Sequence, residues 1–194
     1  PARRRSLSAA LGMGAFSAFW TGIGLRLTHA PFGLNLYEIG VFALAGAAGV
    51  VATPLAGYAG DRHAGRLALR IGHSSMLAAW IASGIAGAGW FGFAADAHRA
   101  LALGLLVAGA ATLDAGVVTD QTLGRRAINL MNAAARGRLN GLFVGIFFVG
   151  GALGASLAGM AWAWAGWSGV CIVGLAFAAA AFALGLLPQR GETE

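Results

Sequence analysis

The sequence predicts an all-α integral membrane fold of six transmembrane helices. Three observations predict it: an apolar excess too large for water, a series of charge-free runs of bilayer length, and arginines gathered at the ends of alternate runs.

The apolar excess comes first. Of 194 residues, 58% are hydrophobic and 10% are charged, against about 25% charged in soluble domains. Folding leaves roughly a third of the surface of a chain this size exposed, so the solvent for most of this one must be lipid. The 32 glycines suit membrane helices, whose backbones approach closely over small residues. The net charge is +6 and all 13 basic residues are arginine. They lie between apolar runs, which points to membrane topology rather than to nucleic acid. A single cysteine, Cys171, excludes an internal disulfide.

The runs follow in order. A bilayer core of about 30 Å needs roughly 20 apolar helical residues. Residues 6–25 and 39–60 are free of charge, 71–95 carry only His73, and 100–124 hold Asp114 and Asp120. Residues 139–189 form one charge-free run of 51 residues, too long for one crossing and suited to two. The break is expected at Gly166-Trp167-Ser168-Gly169, flanked by Trp162 and Trp164, because tryptophan favours the membrane interface. The predicted spans are therefore about 7–29, 37–60, 67–92, 99–124, 139–164 and 168–187, within one unit covering 1–194. A β-barrel would require alternating polar and apolar strands, which are absent.

Orientation is read from arginine. One set of loops holds Arg3, Arg4, Arg5, Arg62, Arg66, Arg70, Arg125, Arg126, Arg136, Arg138 and Arg190; the other holds Arg26 and Arg99. The rule that cytoplasmic loops are positive places both ends in the cytoplasm of a multi-pass plasma (inner) membrane protein. The chain begins at Pro1 rather than Met, so further sequence is expected upstream. In the fifth span Gly141 and Gly145, then Gly150, Gly154 and Ala158, then Gly151, Ala155 and Gly159 form rows of small residues that predict close helix packing. Pro54 inside the second span predicts a kink there.

Two places invite chemistry. Asp114 lies about 14 residues into its span, and a carboxylate inside a bilayer is by default a functional candidate; the bland alternative is a structural hydrogen bond to a neighbouring helix. Asp120, nearer the cytoplasm, is expected to pair with Arg125 or Arg126. The loop Gly57-Tyr58-Ala59-Gly60-Asp61-Arg62-His63-Ala64-Gly65-Arg66 joins two spans. Asp61 there is placed to accept from backbone N–H groups at the start of the next helix, where the dipole favours an anion. Arg62 and Arg66 are placed to pair with carboxylates or helix ends. The first span also offers Phe16, Ser17, Trp20 and Thr21, aromatic and small polar groups of the kind that line solute cavities, although such residues also serve packing or face lipid.

The loop resembles the signature of the major facilitator superfamily, Gly-x-x-x-Asp-Arg-x-Gly-Arg, carried here by Gly57, Asp61, Arg62, Gly65 and Arg66 with one extra residue between Arg62 and Gly65. Ala135-Arg136-Gly137-Arg138-Leu139-Asn140, then Gly150-Gly151-Ala152-Leu153-Gly154 and Trp162-Ala163-Trp164, are similar to the tenth loop and eleventh helix of bacterial arabinose-efflux-permease-like drug:proton antiporters. The resemblance covers about residues 7–187 and implies family helices seven to twelve: a half-bundle of two inverted three-helix repeats, about 7–92 and 99–187. It implies a homologous N-terminal six-helix half as partner, and secondary active transport of a small-molecule substrate, with protons exchanged, as efflux by alternating access. Asp114 then becomes the proton-coupling candidate. The helices that face the family's central cavity make Phe16, Trp20, Phe147 and Phe148 the candidate cavity residues.

Enzyme readings find no support. Gly166-x-Ser168-Gly169 matches the intramembrane serine-protease motif, but that chemistry needs a later histidine as base, and the last is His98. The four histidines lack metal-ligand spacing, and a chain without lysine has no phosphate-binding loop. No cofactor or metal is expected. The alternative class is a membrane interaction module that transports nothing, such as a degenerate half-transporter.

Overall fold

The computed structural model describes residues 2–62, 64–131 and 135–187. The described residues are helical, with no strand among them. The helices are α1 (Ala2–Thr28), α2 (Leu36–Ala43), α3 (Ala48–Asp61), α4 (Gly65–Ala88), α5 (Arg99–Met131) and α6 (Arg136–Leu186). His63 and Arg190 lie outside the described residues.

Four stretches are long and apolar enough to cross a membrane: Arg3–Thr28, Leu36–Asp61, Arg99–Leu130 and Arg136–Leu186. α4 has 24 residues, enough to rise about 36 Å. Its polar and charged residues, among them Arg66, Arg70, His73, Ser74, Ser75 and Ser83, keep it out of that set.

α6 contains 51 residues but is not one helix in conformation. Ala165 and Gly166 leave helical geometry, Gly166 at φ 56°, ψ −142°, a region that glycine reaches without a Cβ penalty. The bend falls where the sequence places the break between its last two spans. The tryptophans flanking it divide. Trp164 is 88% exposed, as expected of an interfacial ring, whereas Trp167 is 4% exposed and sits in the core. Its indole Nε1 donates to the carbonyl of Ser83 at 2.9 Å, and its ring occupies the place where a side chain at Gly87 of α4 would lie. The hydrogen bond explains the burial of its polar edge.

The second predicted span is interrupted, but not where its proline is. Pro54 sits within continuous helix α3; the irregularity is the 3₁₀ turn Leu44–Ala47 between α2 and α3. Asn35 starts α2 with a capping box, accepting from the backbone N–H of Glu38 while the Glu38 carboxylate accepts from that of Asn35.

Packing centres on α1, which lies against α6 along most of its length, with α4 and α5 as the second intimate pair. The approach of α1 to α6 depends on Gly150 and Gly154. A Cβ on either would fall on the α1 backbone, at Ala10 and Gly14 respectively. The other small-residue rows are used unequally: Gly151 faces Met13 and Ser17, whereas nothing lies within 4 Å of a Cβ at Gly141, Gly145 or Gly159. The larger core holds Phe19, Trp80 and Trp167, with Phe19 edge-on to both tryptophans at 5.7 and 5.9 Å. A smaller core joins Ala9, Ile128, Phe143 and Phe147. The two arginines of the sparse side hold the loop after α1: Arg26 donates to the carbonyl of Ala30 in it and to that of Gly87 in α4, and Arg99 donates to those of Pro31 and Phe32.

Candidate functional site

An open groove of about 620 Å³ runs along α5. α5 supplies one stripe: Asp114, Val118, Gln121, Thr122, Arg125 and Asn129, positions that recur at helical spacing on one face. α1 contributes Phe16, and the 3₁₀ turn and α3 contribute Gly46, Gly49, Val50 and Thr53. The groove is apolar around Val50 and Val118 and becomes polar and basic toward Arg125 and Arg126.

Asp114 closes one end of the groove and is 5% exposed. The indole Nε1 of Trp20 donates to its Oδ1 at 3.2 Å. The interrupted span is what makes room for this pair. A Cβ on Gly46 would stand 2.9 Å from Asp114 Oδ2 and 3.1 Å from the Trp20 ring, so a larger residue there would push against the pair. Trp20 is itself wedged among Phe16, Phe19 and Phe42, with centroids 6.2, 5.5 and 6.3 Å away. Among the described residues Asp114 forms no ion pair. It is thus a carboxylate held by one neutral donor at a groove wall, an arrangement that can take up and release a proton without breaking a salt bridge.

Phe16 and Trp20 are therefore brought to Asp114. Phe147 and Phe148 are not. Phe147 stacks on Phe143 in the smaller core, and Phe148 is exposed on α6.

The loop motif takes a different form from the one its sequence suggests. Asp61 does not cap α4, whose N-cap is Ala64 and has no side-chain cap bond. Asp61 instead pairs with Arg126 of α5. Gly60 leaves space for that arginine: a Cβ there would lie 3.1 Å from Arg126 Cδ. Arg62 folds back over the ring of Tyr58, 4.8 Å from its centroid. Gly57 has nothing within 4 Å of a Cβ, and Gly65 faces Leu123 at 3.7 Å. Arg66 points to a separate pocket with Arg4, Arg5 and Arg70.

Asp120 also departs from expectation. It pairs with neither Arg125 nor Arg126 but is buried, 1% exposed. Its Oδ2 accepts from Ser8 Oγ at 2.7 Å and lies 3.1 Å from His73 Nε2. Asp120 is six residues beyond Asp114, about 120° away around α5 by the shorter way; the two acids thus face different sides. Neither Ser8 nor His73 carries a motif that marks it in the sequence. The available signal was that His73 is the only ionisable group within its apolar run. Although the three residue types invite comparison with a hydrolytic triad, the Ser8 hydroxyl bonds the carboxylate directly and all three are buried. The cluster ties α1, α4 and α5 together.

Comparison with known proteins agrees with the membrane reading. The chain is 33% identical over 180 residues to the uncharacterized transporter YgaY of Escherichia coli O157:H7, covering 91% of this chain and 41% of that protein. It is 35% identical over 161 residues to the probable transporter SCO4007 of Streptomyces coelicolor, covering 82% of this chain and 34% of that protein. The chain thus spans about two-fifths or less of the length of the curated relatives it matches. No family model matches it, and no solved structure does. With its apolar helices and transporter-named relatives, the chain is a multi-pass membrane protein.

Proposed function

We propose that the chain is the C-terminal half, helices seven to twelve, of a major facilitator superfamily transporter of the arabinose-efflux-permease-like drug:proton antiporter kind. In this reading α1, the α2–α3 pair, α4, α5 and the two arms of α6 are six crossings, arranged as inverted repeats of about 7–92 and 99–187. Both ends face the cytoplasm of an inner membrane. The half rocks against a homologous six-helix half and moves a small organic solute outward by alternating access.

Support comes from the transporter names of the relatives, from their greater length, and from the bend at Ala165 and Gly166. The observation that carries the mechanism is the Trp20–Asp114 hydrogen bond beside the interrupted second span. Interrupted helices mark transporter binding sites, since irregular backbone inside a membrane is tolerated where it lines a cavity. Asp114 accepts a proton when the groove is open to one side and releases it to the other, and solute exchange follows. Phe16 and Trp20 supply an aromatic wall for the solute. The test is pH-driven transport by Asp114→Asn: retained solute binding with lost coupling is expected, and full coupling would remove Asp114 from the mechanism.

A further inference from the structure

The two ends of the groove along α5 offer a solute different charges, and only one of them is within reach. Asp114 closes the apolar end but presents almost no surface. It is 5% exposed, Trp20 Nε1 donates to its Oδ1, and the chain at Gly46 covers Oδ2, which a Cβ there would meet at 2.9 Å. A proton can reach a carboxylate so enclosed. An ammonium head group, which brings three donors and needs acceptors for them, has no room beside it.

The other end is open. Arg125 and Arg126 both line it. Arg126 is matched by Asp61, whereas Arg125 is exposed and, among the described residues, forms no ion pair. Gln121, Thr122 and Asn129 also line this end; they stand one turn to either side of Arg125 on the same face of α5 and offer neutral donors and acceptors. Phe16, Val50 and Val118 form an apolar wall between the two ends. Val118 and Arg125 are two turns apart, about 10 Å along the helix axis, and Asp114 lies about 16 Å from Arg125 along the same axis.

We propose, resting on the transport role given above for the same groove, that its solute is a small amphipathic anion: an apolar body against Phe16 and Val118, and a carboxylate on Arg125. An arginine fork meets a carboxylate with two parallel hydrogen bonds, and the apolar wall strengthens them by lowering the local dielectric. A mostly apolar lining with a few placed polar groups is the usual make-up of a small-molecule site. The distance between the ends divides the work. The proton is held at Asp114 and the anion at Arg125, so mutation can separate coupling from solute choice.

The test uses purified full-length protein and three probes that share one apolar body: phenylhexanoate, phenylhexanol and phenylhexylamine. Binding is measured by calorimetry at neutral pH, where the first is an anion and the last a cation. Phenylhexanoate should bind wild type about tenfold or more tightly than the alcohol, the effect of a hydrogen bond to a charged group, and the amine more weakly still. Arg125→Gln should remove that preference while leaving the alcohol bound as before, and Arg125→Lys should restore part of it. Phe16→Ala should weaken all three probes alike. Arg138→Gln removes an equal charge from an exposed position outside the groove and should change nothing. Equal binding of the three probes by wild type overturns the proposal, as does equal weakening by Arg125→Gln and Arg138→Gln. Displacement of phenylhexanoate by short-chain phosphatidylglycerol, but not by phosphatidylcholine, would give the groove to a lipid and also overturn it. The same probes in proteoliposomes separate this proposal from the transport role. Selective binding of the acid without pH-driven accumulation upholds the solute class and removes the coupling. Accumulation of the amine or alcohol with no preference for the acid upholds the coupling and overturns the solute class.

Discussion

Arg126 of α5 donates through Nη1 to Oδ1 of Asp61, the last residue of α3, and so joins helices whose partner residues are 65 positions apart. The partners are 40% and 66% exposed. An ion pair so open to solvent is worth about 1 kcal/mol at most. Its value lies in fixing α3 against α5 beside the groove. Asp61→Asn is therefore expected to leave thermal stability nearly unchanged while lowering transport about fivefold, the effect of roughly 1 kcal/mol of coupling. Exchanging the charges, Asp61→Arg with Arg126→Asp, should restore most of the rate. Transport and melting measured side by side check this, and an unrestored exchange would show that Asp61 acts through another partner.

The contact of α1 with α6 gives a paired prediction. Gly150 and Gly154 face α1 backbone, whereas a Cβ on Gly145 meets nothing within 4 Å. Gly154→Ala should lower stability by about 1–3 kcal/mol, the usual cost of overpacking. Gly145→Ala should be neutral or slightly stabilising, since alanine is the better helix former by about 1 kcal/mol. Unfolding of both variants in mixed micelles distinguishes them.

These contrasts show which features are legible in the sequence. Some helix ends are legible because charge is costly in lipid: Arg26, Asp61 and Arg99 lie within a residue or two of the ends of α1 and α3 and the start of α5, whereas α1 begins at Ala2 and α5 runs on to Met131, beyond the expected 7 and 124. The bend near Gly166 is legible from run length and clustered tryptophans. The 3₁₀ turn at Leu44–Ala47 is not, because an alanine and glycine stretch carries no polar signal and Pro54 is the conspicuous breaker nearby. Asp114 stands out alone, but its donor Trp20 is 94 residues away. Ser8, His73 and Asp120 are likewise joined across 112 and 47 residues. Both sets are joined by packing, which residue order does not encode locally. The same reason explains Trp167: a tryptophan at a predicted turn reads as interfacial until Gly87 is placed beneath it.

The buried cluster of Ser8, His73 and Asp120 predicts an uneven mutational response. Breaking a buried ionisable pair by removing one partner costs about 3–5 kcal/mol; the three groups contact one another, and Asp120 makes the two shorter contacts, 2.7 and 3.1 Å against 3.3 Å between Ser8 and His73. Asp120→Ala should therefore lower the thermal midpoint most. Ser8→Ala removes the bond to Asp120 and the longer contact with His73 and should cost about 1–3 kcal/mol. Thermal unfolding of the single and double variants checks the coupling, and strictly additive losses would show that the three act independently.

The six-crossing reading predicts a pattern of accessibility. In a Cys171→Ala background, single cysteines at Gly137 and Leu187 should react with an impermeant maleimide only from the cytoplasmic side. Cysteines at Ala97 and Ala165, both exposed, should react only from outside. Ala165 is decisive for the two arms of α6, and its labelling from the cytoplasm would reduce the number of crossings and reverse the final arm.

In the proposed function Asp114 couples proton movement to solute movement. Asn at 114 keeps the size of the side chain and an oxygen that can accept from Trp20, but it cannot titrate. Proteoliposomes of full-length protein, wild type and Asp114→Asn, are compared for uptake of a panel of labelled small organic solutes, with and without an imposed pH difference. Asp114→Asn is expected to fold, bind and exchange a solute that wild type transports, yet no longer to concentrate it when the pH difference is applied. Accumulation by Asp114→Asn equal to that of wild type under the same pH difference would contradict it.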